Sequence, residues 1–193
     1  DTIQLEMNQA ALRAGSPRRL ILAPGNYGLD YLHERYPEFH TVPVVKTSNF
    51  IGDTLDMAAE ARFEEVLLVG HVGKLVKVAG GIMNTHSHSA DARMEVLASN
   101  AIRAGASLEC AKEILNASTT DEAIDILEKY QILQKTMKEI LDRIQFYLNH
   151  RSYEQILLGA VIFNNTYGYL GQTADAEKLI TLINAQNDET QLQ

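Results

Sequence analysis

Between Gly70 and Arg93 the chain gathers residues that can do chemistry: Gly70-His71-Val72-Gly73-Lys74, then Lys77, then a run from Gly80 to Arg93 holding Asn84, His86, His88 and Asp91. His86 and His88, with Asp91 as a third group, could ligate a metal and support a hydrolase or deaminase. The same two imidazoles could instead serve as hydrogen-bonding or proton-transfer groups. Lys74 and Lys77 are three apart and share one helical face, a spacing that suits a phosphate or carboxylate but also two solvated lysines. The amides at Gly70 to Gly73 precede a helix and are read as free to face an anion. Ser89 or Asp91 is read as capping the next helix. Arg93 then falls in that helix's first turn, where the dipole disfavours a cation. An arginine there is held for a ligand carboxylate, or for Glu95 or another acid.

Other chemistries lack their spacing. There is no phosphate loop of the Gly-x-x-x-x-Gly-Lys-Ser/Thr kind and no Gly-x-Gly-x-x-Gly after the first apolar run. No serine sits in a Gly-x-Ser-x-Gly elbow. Cys110 lies among helical alanines and leucines and reads as packing. His33, His40 and His150 read as surface residues. Asp53 follows Gly52 at a helix start and is either a cap or a ligand-facing acid.

These residues need a scaffold. Four apolar runs read as buried strands: 19–23, 41–46, 65–69 and one within 155–163. They lack strict alternation, as expected of strands covered on both faces. Helical stripes lie around them: Ile3, Met7, Ala10, Ala11 and Ala14; Leu55, Ala58 and Ala59; Val72, Leu75, Val76 and Ala79; and Met94, Leu97, Ala98 and Ala101, stopped at Gly105. A long period runs through 121–150, and Leu179, Ile180 and Ile183 mark a last helix. Strand–helix alternation predicts an α/β fold. The expected form is an open, mainly parallel sheet of about four or more strands flanked by helices. It is a Rossmann-like three-layer arrangement, read as one domain over 1–193 with a helical elaboration at about 90–150, before the last strand.

Each strand runs into a polar loop, and in an open parallel sheet these loops share the ligand-binding edge. They contribute Gly25, Asn26 and Gly28; Ser48, Asn49 and Asp53; Gly70 and Gly73; and Asn165 and Tyr167.

Composition sets bounds. The chain has 193 residues, 46% hydrophobic and 22% charged, as in an ordinary globular protein. No run approaches the roughly 18 to 20 apolar residues of a membrane span. The net charge of -8 argues against nucleic acid as a partner. One cysteine precludes an internal disulfide and suits the cytoplasm. The first residues read as an amphipathic helix and not a signal peptide. A homo-oligomer stays open.

The segments Gly70 to Gly81, Asn84 to His88 and Ala90 to Arg93 closely resemble the cobalt-precorrin-5B C(1)-methyltransferase family (CbiD). The loops Pro24 to Gly28, Ser48 to Gly52 and Asn165 to Gly168 resemble the same family in the same order. Family members are longer, and the chain, which begins at Asp1, resembles their C-terminal portion. The resemblance implies S-adenosyl-L-methionine as methyl donor, cobalt-precorrin-5B as substrate, and no protein-bound metal. It implies that the product is cobalt-precorrin-6A, in anaerobic cobalamin biosynthesis. On this reading Gly25, Asn26, Gly28, Ser48, Asn49, Asp53, Gly70 and Gly73 approach the donor. Lys74, Lys77, Asn84, Arg93, Asn165 and Tyr167 meet the macrocycle, whose acetate and propionate groups suit cations. His86 or His88 orients the substrate or approaches its cobalt. A metal-dependent hydrolase and a non-catalytic corrinoid-binding module are the alternatives.

Overall fold

A computed structural model describes residues 1–193. Its frame is a five-stranded sheet of order β2-β1-β3-β4-β5, built from β1 (Arg19–Ala23), β2 (Val44–Lys46), β3 (Glu65–His71), β4 (Leu157–Asn164) and β5 (Gly168–Gln172). The first four are mutually parallel, and β5 runs antiparallel at the edge.

The strands read as continuous apolar runs because successive side chains feed two cores. Leu20, Leu22, Val66, Leu68, Leu158, Ala160 and Ile162 join the larger one. Ile21, Leu67, Val69, Val161 and Phe163 join the smaller one on the opposite face. The larger core is covered by α1 (Thr2–Arg13), α3 (Ile51–Glu60), α4 (Val72–Val78) and the helical insertion between β3 and β4. The smaller is covered by α2 (Asn26–Arg35), a short 3-10 turn at Pro37–Thr41, and α9 (Ala174–Gln191). Gly159 lets α9 lie close to the sheet: a Cβ there would sit 2.4 Å from the Ala176 nitrogen.

From β1 the chain steps outward to β2, then back past β1 to β3. Right-handed crossovers in opposite directions put α2 and α3 on opposite faces. A crevice therefore opens between the carboxyl ends of β1 and β3, the topological switch point of a sheet with this order.

The insertion between β3 and β4 is helical as expected, comprising α5 (Arg93–Arg103), α6 (Leu108–Leu115), α7 (Thr120–Lys129) and α8 (Leu133–Arg151). Four expectations need correction. The run 41–46 is a strand only from Val44, since Pro43 has no N–H to give a ladder. The period through 121–150 is two helices, broken where Gln131 takes φ 55°. Gly28 lies inside α2 and not in a loop, and Gly70 lies inside β3. The loop after β4 is the three-residue turn of a hairpin into β5. That edge strand, Gly168-Tyr169-Leu170-Gly171-Gln172, has two glycines and no apolar period to announce it. No helix is long and apolar enough to cross a membrane.

Candidate functional site

The crevice is a cleft of about 970 Å³ whose fifteen lining residues include only one hydrophobic side chain. The β1–α2 turn supplies Gly25, Asn26, Tyr27 and Asp30. The end of β3 and α4 supply His71, Gly73, Lys74 and Lys77. Asn49 comes from the turn after β2, Thr85, His86 and Ser87 from the segment before α5, Arg93 from α5 and Thr120 from α7. Gly25 begins α2 with φ 87°, a value that a side chain would disfavour. Its α-carbon faces the Lys74 ammonium: an added Cβ would lie 3.7 Å from Nζ.

The cations of the cleft have different fates. Lys77 is only 3% exposed. Its Nζ donates to the Thr85 carbonyl at 3.0 Å and the Ala90 carbonyl at 2.9 Å, bracketing the His86–Ser89 turn. Arg93 makes a two-pronged pair with Asp91, at 2.8 and 3.0 Å. That hydrogen bonding holds the Asp91 carboxyl below the usual carboxylate range and raises the Arg93 pKa. Lys74 is half-buried, and burial followed by the nearby Lys77 charge lowers its pKa; no acid offsets either effect. It is the cation that the fold leaves for a ligand.

His71 was quoted in the Gly70–Lys74 motif but given no role of its own, yet it lines the cleft. Its Nδ1 accepts the Gly73 N–H at 3.0 Å, capping α4. The Gly73 amide expected to face an anion is therefore already used. The ring packs edge-on against Phe163, with centroids 5.7 Å apart. Burial pushes the His71 pKa below the usual histidine value, and the Asp121 charge offsets this only in part. His86 repeats the motif: its Nδ1 accepts the His88 N–H at 3.1 Å. A histidine that ends a strand carries no pattern of its own; the signal for it lay in the Gly73 two positions later.

Eight of the residues singled out in the sequence line the cleft: Gly25, Asn26, Asn49, Gly73, Lys74, Lys77, His86 and Arg93. The others lie outside its lining. Gly28 packs against the sheet, where a Cβ would meet the Val69 carbonyl oxygen at 2.8 Å. Gly70 lies between Pro24 and Leu75. Ser48 is exposed with φ 49°, and Asp53 faces Arg151 at 3.7 Å. The Asn84 carboxamide oxygen accepts the His86 N–H at 3.1 Å, shaping the turn from behind. His88 is exposed, its ring edge-on to His86. Asn165 is exposed in the hairpin turn, and the Tyr167 hydroxyl bonds Asp125 at 2.6 Å. His86, His88 and Asp91 do not converge: no group of three potential metal-ligating side chains forms, and Asp91 is taken by Arg93.

Comparison with known proteins agrees with the resemblance. Residues 84–174 match the family model for the C-terminal domain of CbiD. The chain is 33% identical over 186 residues to the cobalt-precorrin-5B C(1)-methyltransferase of Alkaliphilus metalliredigens, covering 96% of this chain and 48% of that protein. It is 38% identical over 165 residues to that of Ruminiclostridium cellulolyticum, covering 86% and 42%. It is 47% identical over 117 residues to that of Moorella thermoacetica, covering 61% and 32%. No solved structure matches. The chain spans about half the length or less of these curated relatives. By sequence, then, the chain is similar to the cobalt-precorrin-5B C(1)-methyltransferases along most of its own length, and its residues 84–174 match the model for the C-terminal domain of CbiD.

Proposed function

We propose that the chain works in methyl transfer from S-adenosyl-L-methionine to C-1 of cobalt-precorrin-5B, giving cobalt-precorrin-6A, in the cytoplasm. The observation that carries this reading is Lys74: a half-buried ammonium without an acid beside it, at the switch-point crevice of a chain similar to these enzymes. A desolvated cation held open is suited to an anionic ligand, and the macrocycle carries acetate and propionate groups. A polar cleft of this volume falls in the range of small-molecule sites.

The lining fits both reactants in kind. Lys74 and Arg93 suit carboxylates, Arg93 by sharing its guanidinium with Asp91. Asp30, the sole acid among the lining residues, suits the ammonium or ribose hydroxyls of the donor. Gly25 allows backbone approach on the same side. The donor supplies an activated methyl group when bound. What remains for this chain is to hold the macrocycle by its acids, fix its orientation and keep water from the reacting carbon. Lys77 serves indirectly, by fixing the turn that presents His86 to the cleft.

The test is methyl transfer from isotope-labelled S-adenosyl-L-methionine to cobalt-precorrin-5B, with the labelled carbon located by NMR. Label at C-1, lost in the Lys74→Met variant, is the expected result. Tight binding of cobalt-precorrin-5B with no transfer would favour the corrinoid-binding module. Absence of both binding and transfer would reject the reading.

A further inference from the structure

His71 and His86 come from different elements, yet each is pinned in the same way. In both, Nδ1 accepts a backbone N–H two residues ahead, from Gly73 at 3.0 Å and from His88 at 3.1 Å. A nitrogen that accepts a hydrogen bond carries no proton, so the neutral ring must carry its proton on Nε2. Neither ring forms a further hydrogen bond from Nε2 to the protein, and both line the same cleft as Lys74. In each ring one nitrogen is spent in the same way and the other is left.

We infer that His71 and His86 are a matched pair of Nε2–H donors that bind carboxylate oxygens of a tetrapyrrole ligand in the cleft they share with Lys74. The inference rests on reading the cleft as the macrocycle site. It assigns the two histidines neither to a metal nor to proton abstraction, because the nitrogen able to do either is already engaged. Lys74 supplies charge without direction, whereas a tautomer-fixed imidazole supplies a donor at a set position. Together they discriminate between ligands by the placement of their acid groups. The lowered pKa of His71 agrees with a ring that stays neutral at neutral pH.

Uroporphyrin, a soluble tetrapyrrole bearing acetate and propionate groups, is a convenient probe, with affinity read from porphyrin absorbance. His71→Asn keeps an acceptor near the Nδ1 position and so keeps the cap, but removes the ε donor. It is expected to weaken uroporphyrin binding about tenfold with little change in Tm, the scale of one charge-assisted bond. His71→Gln keeps a donor near the ε position and loses the cap; it is expected to bind close to normally while melting earlier. His86→Asn is expected to behave as His71→Asn does. Unchanged affinity in both Asn variants, with Lys74→Met weakened, would overturn the inference and leave the cleft as the ligand site. Unchanged affinity in all three would overturn the reading of the cleft itself.

Discussion

The segments that follow β3 and β4 leave neighbouring parallel strands on the same edge of the sheet, one as helix α4 and one as a polar turn. They differ in what is left over. After β4, the Asn164 carboxamide oxygen accepts the Thr166 and Tyr167 N–H groups at 3.0 and 2.5 Å. Its nitrogen donates to Asp121 at 2.9 Å. The Tyr167 hydroxyl is held by Asp125, which pushes its pKa up to about 12. Asn164 and Tyr167 are thus consumed in making a hairpin, and Asn165 between them faces solvent. After β3, one lysine is consumed by two carbonyls, and the next one back along the helix is not. A polar loop is a site only where donors remain unspent, and no residue count can say where that is.

Three substitutions and one titration probe this contrast. The largest effect is expected for Lys77→Met, which strips two charge-assisted bonds and leaves the Thr85 and Ala90 carbonyls unpaired. A loss of about 3 kcal/mol in denaturant unfolding is expected, with the His86–Ser89 turn loosened. A loss within experimental error would mean that the turn holds itself. Lys74→Met should do the reverse: stability stays within about 0.5 kcal/mol of the parent, while corrinoid affinity falls tenfold or more. If unfolding is instead as severe as for Lys77→Met, the two lysines do not differ in the way described.

The titration concerns His71. Its folded-state pKa is depressed, so between that value and the ordinary value of about 6.5 the unfolded chain binds a proton that the folded one refuses. Stability is therefore full above about pH 6.5 and falls as pH drops toward the folded-state pKa. His71→Asn should flatten this part of the stability profile, with Asp and Glu titrations left below it. A profile unchanged by the substitution would place the acid sensitivity elsewhere. The smallest effect is expected for Tyr167→Phe. It removes one exposed bond from the hairpin turn and should leave both stability and ligand affinity unchanged within experimental error.

Much of the scaffold was legible because periodicity reports burial. Arg19–Ala23 was readable to the residue, being apolar from Leu20 onward and feeding both cores. The expected stop at Gly105 coincides with a φ of 99° there. The hairpin was not legible, since an edge strand with glycines at both Gly168 and Gly171 has little to bury. The break at Gln131 was hidden because neither glycine nor proline marks it, and the apolar period continues across it in α8. In the site, residue types were readable and their commitments were not. Lys74 and Lys77 look equivalent on a helical wheel. Only the fold brings the Thr85 and Ala90 carbonyls to one of them. Asp91, offered by spacing as a third metal ligand, turns to Arg93 two residues on. His71 was given no role because its importance comes from the meeting of β1, β3 and the segment before α5, which no local pattern encodes.

The central claim is that the β1/β3 crevice, and not the hairpin, receives the macrocycle. Titration of cobalt-precorrin-5B into the parent chain, Lys74→Met and Tyr167→Phe, followed by corrinoid absorbance, tests it most directly. A tenfold or greater loss of affinity confined to Lys74→Met is the predicted result. Equal affinity in Lys74→Met and the parent, or a loss confined to Tyr167→Phe, would contradict it.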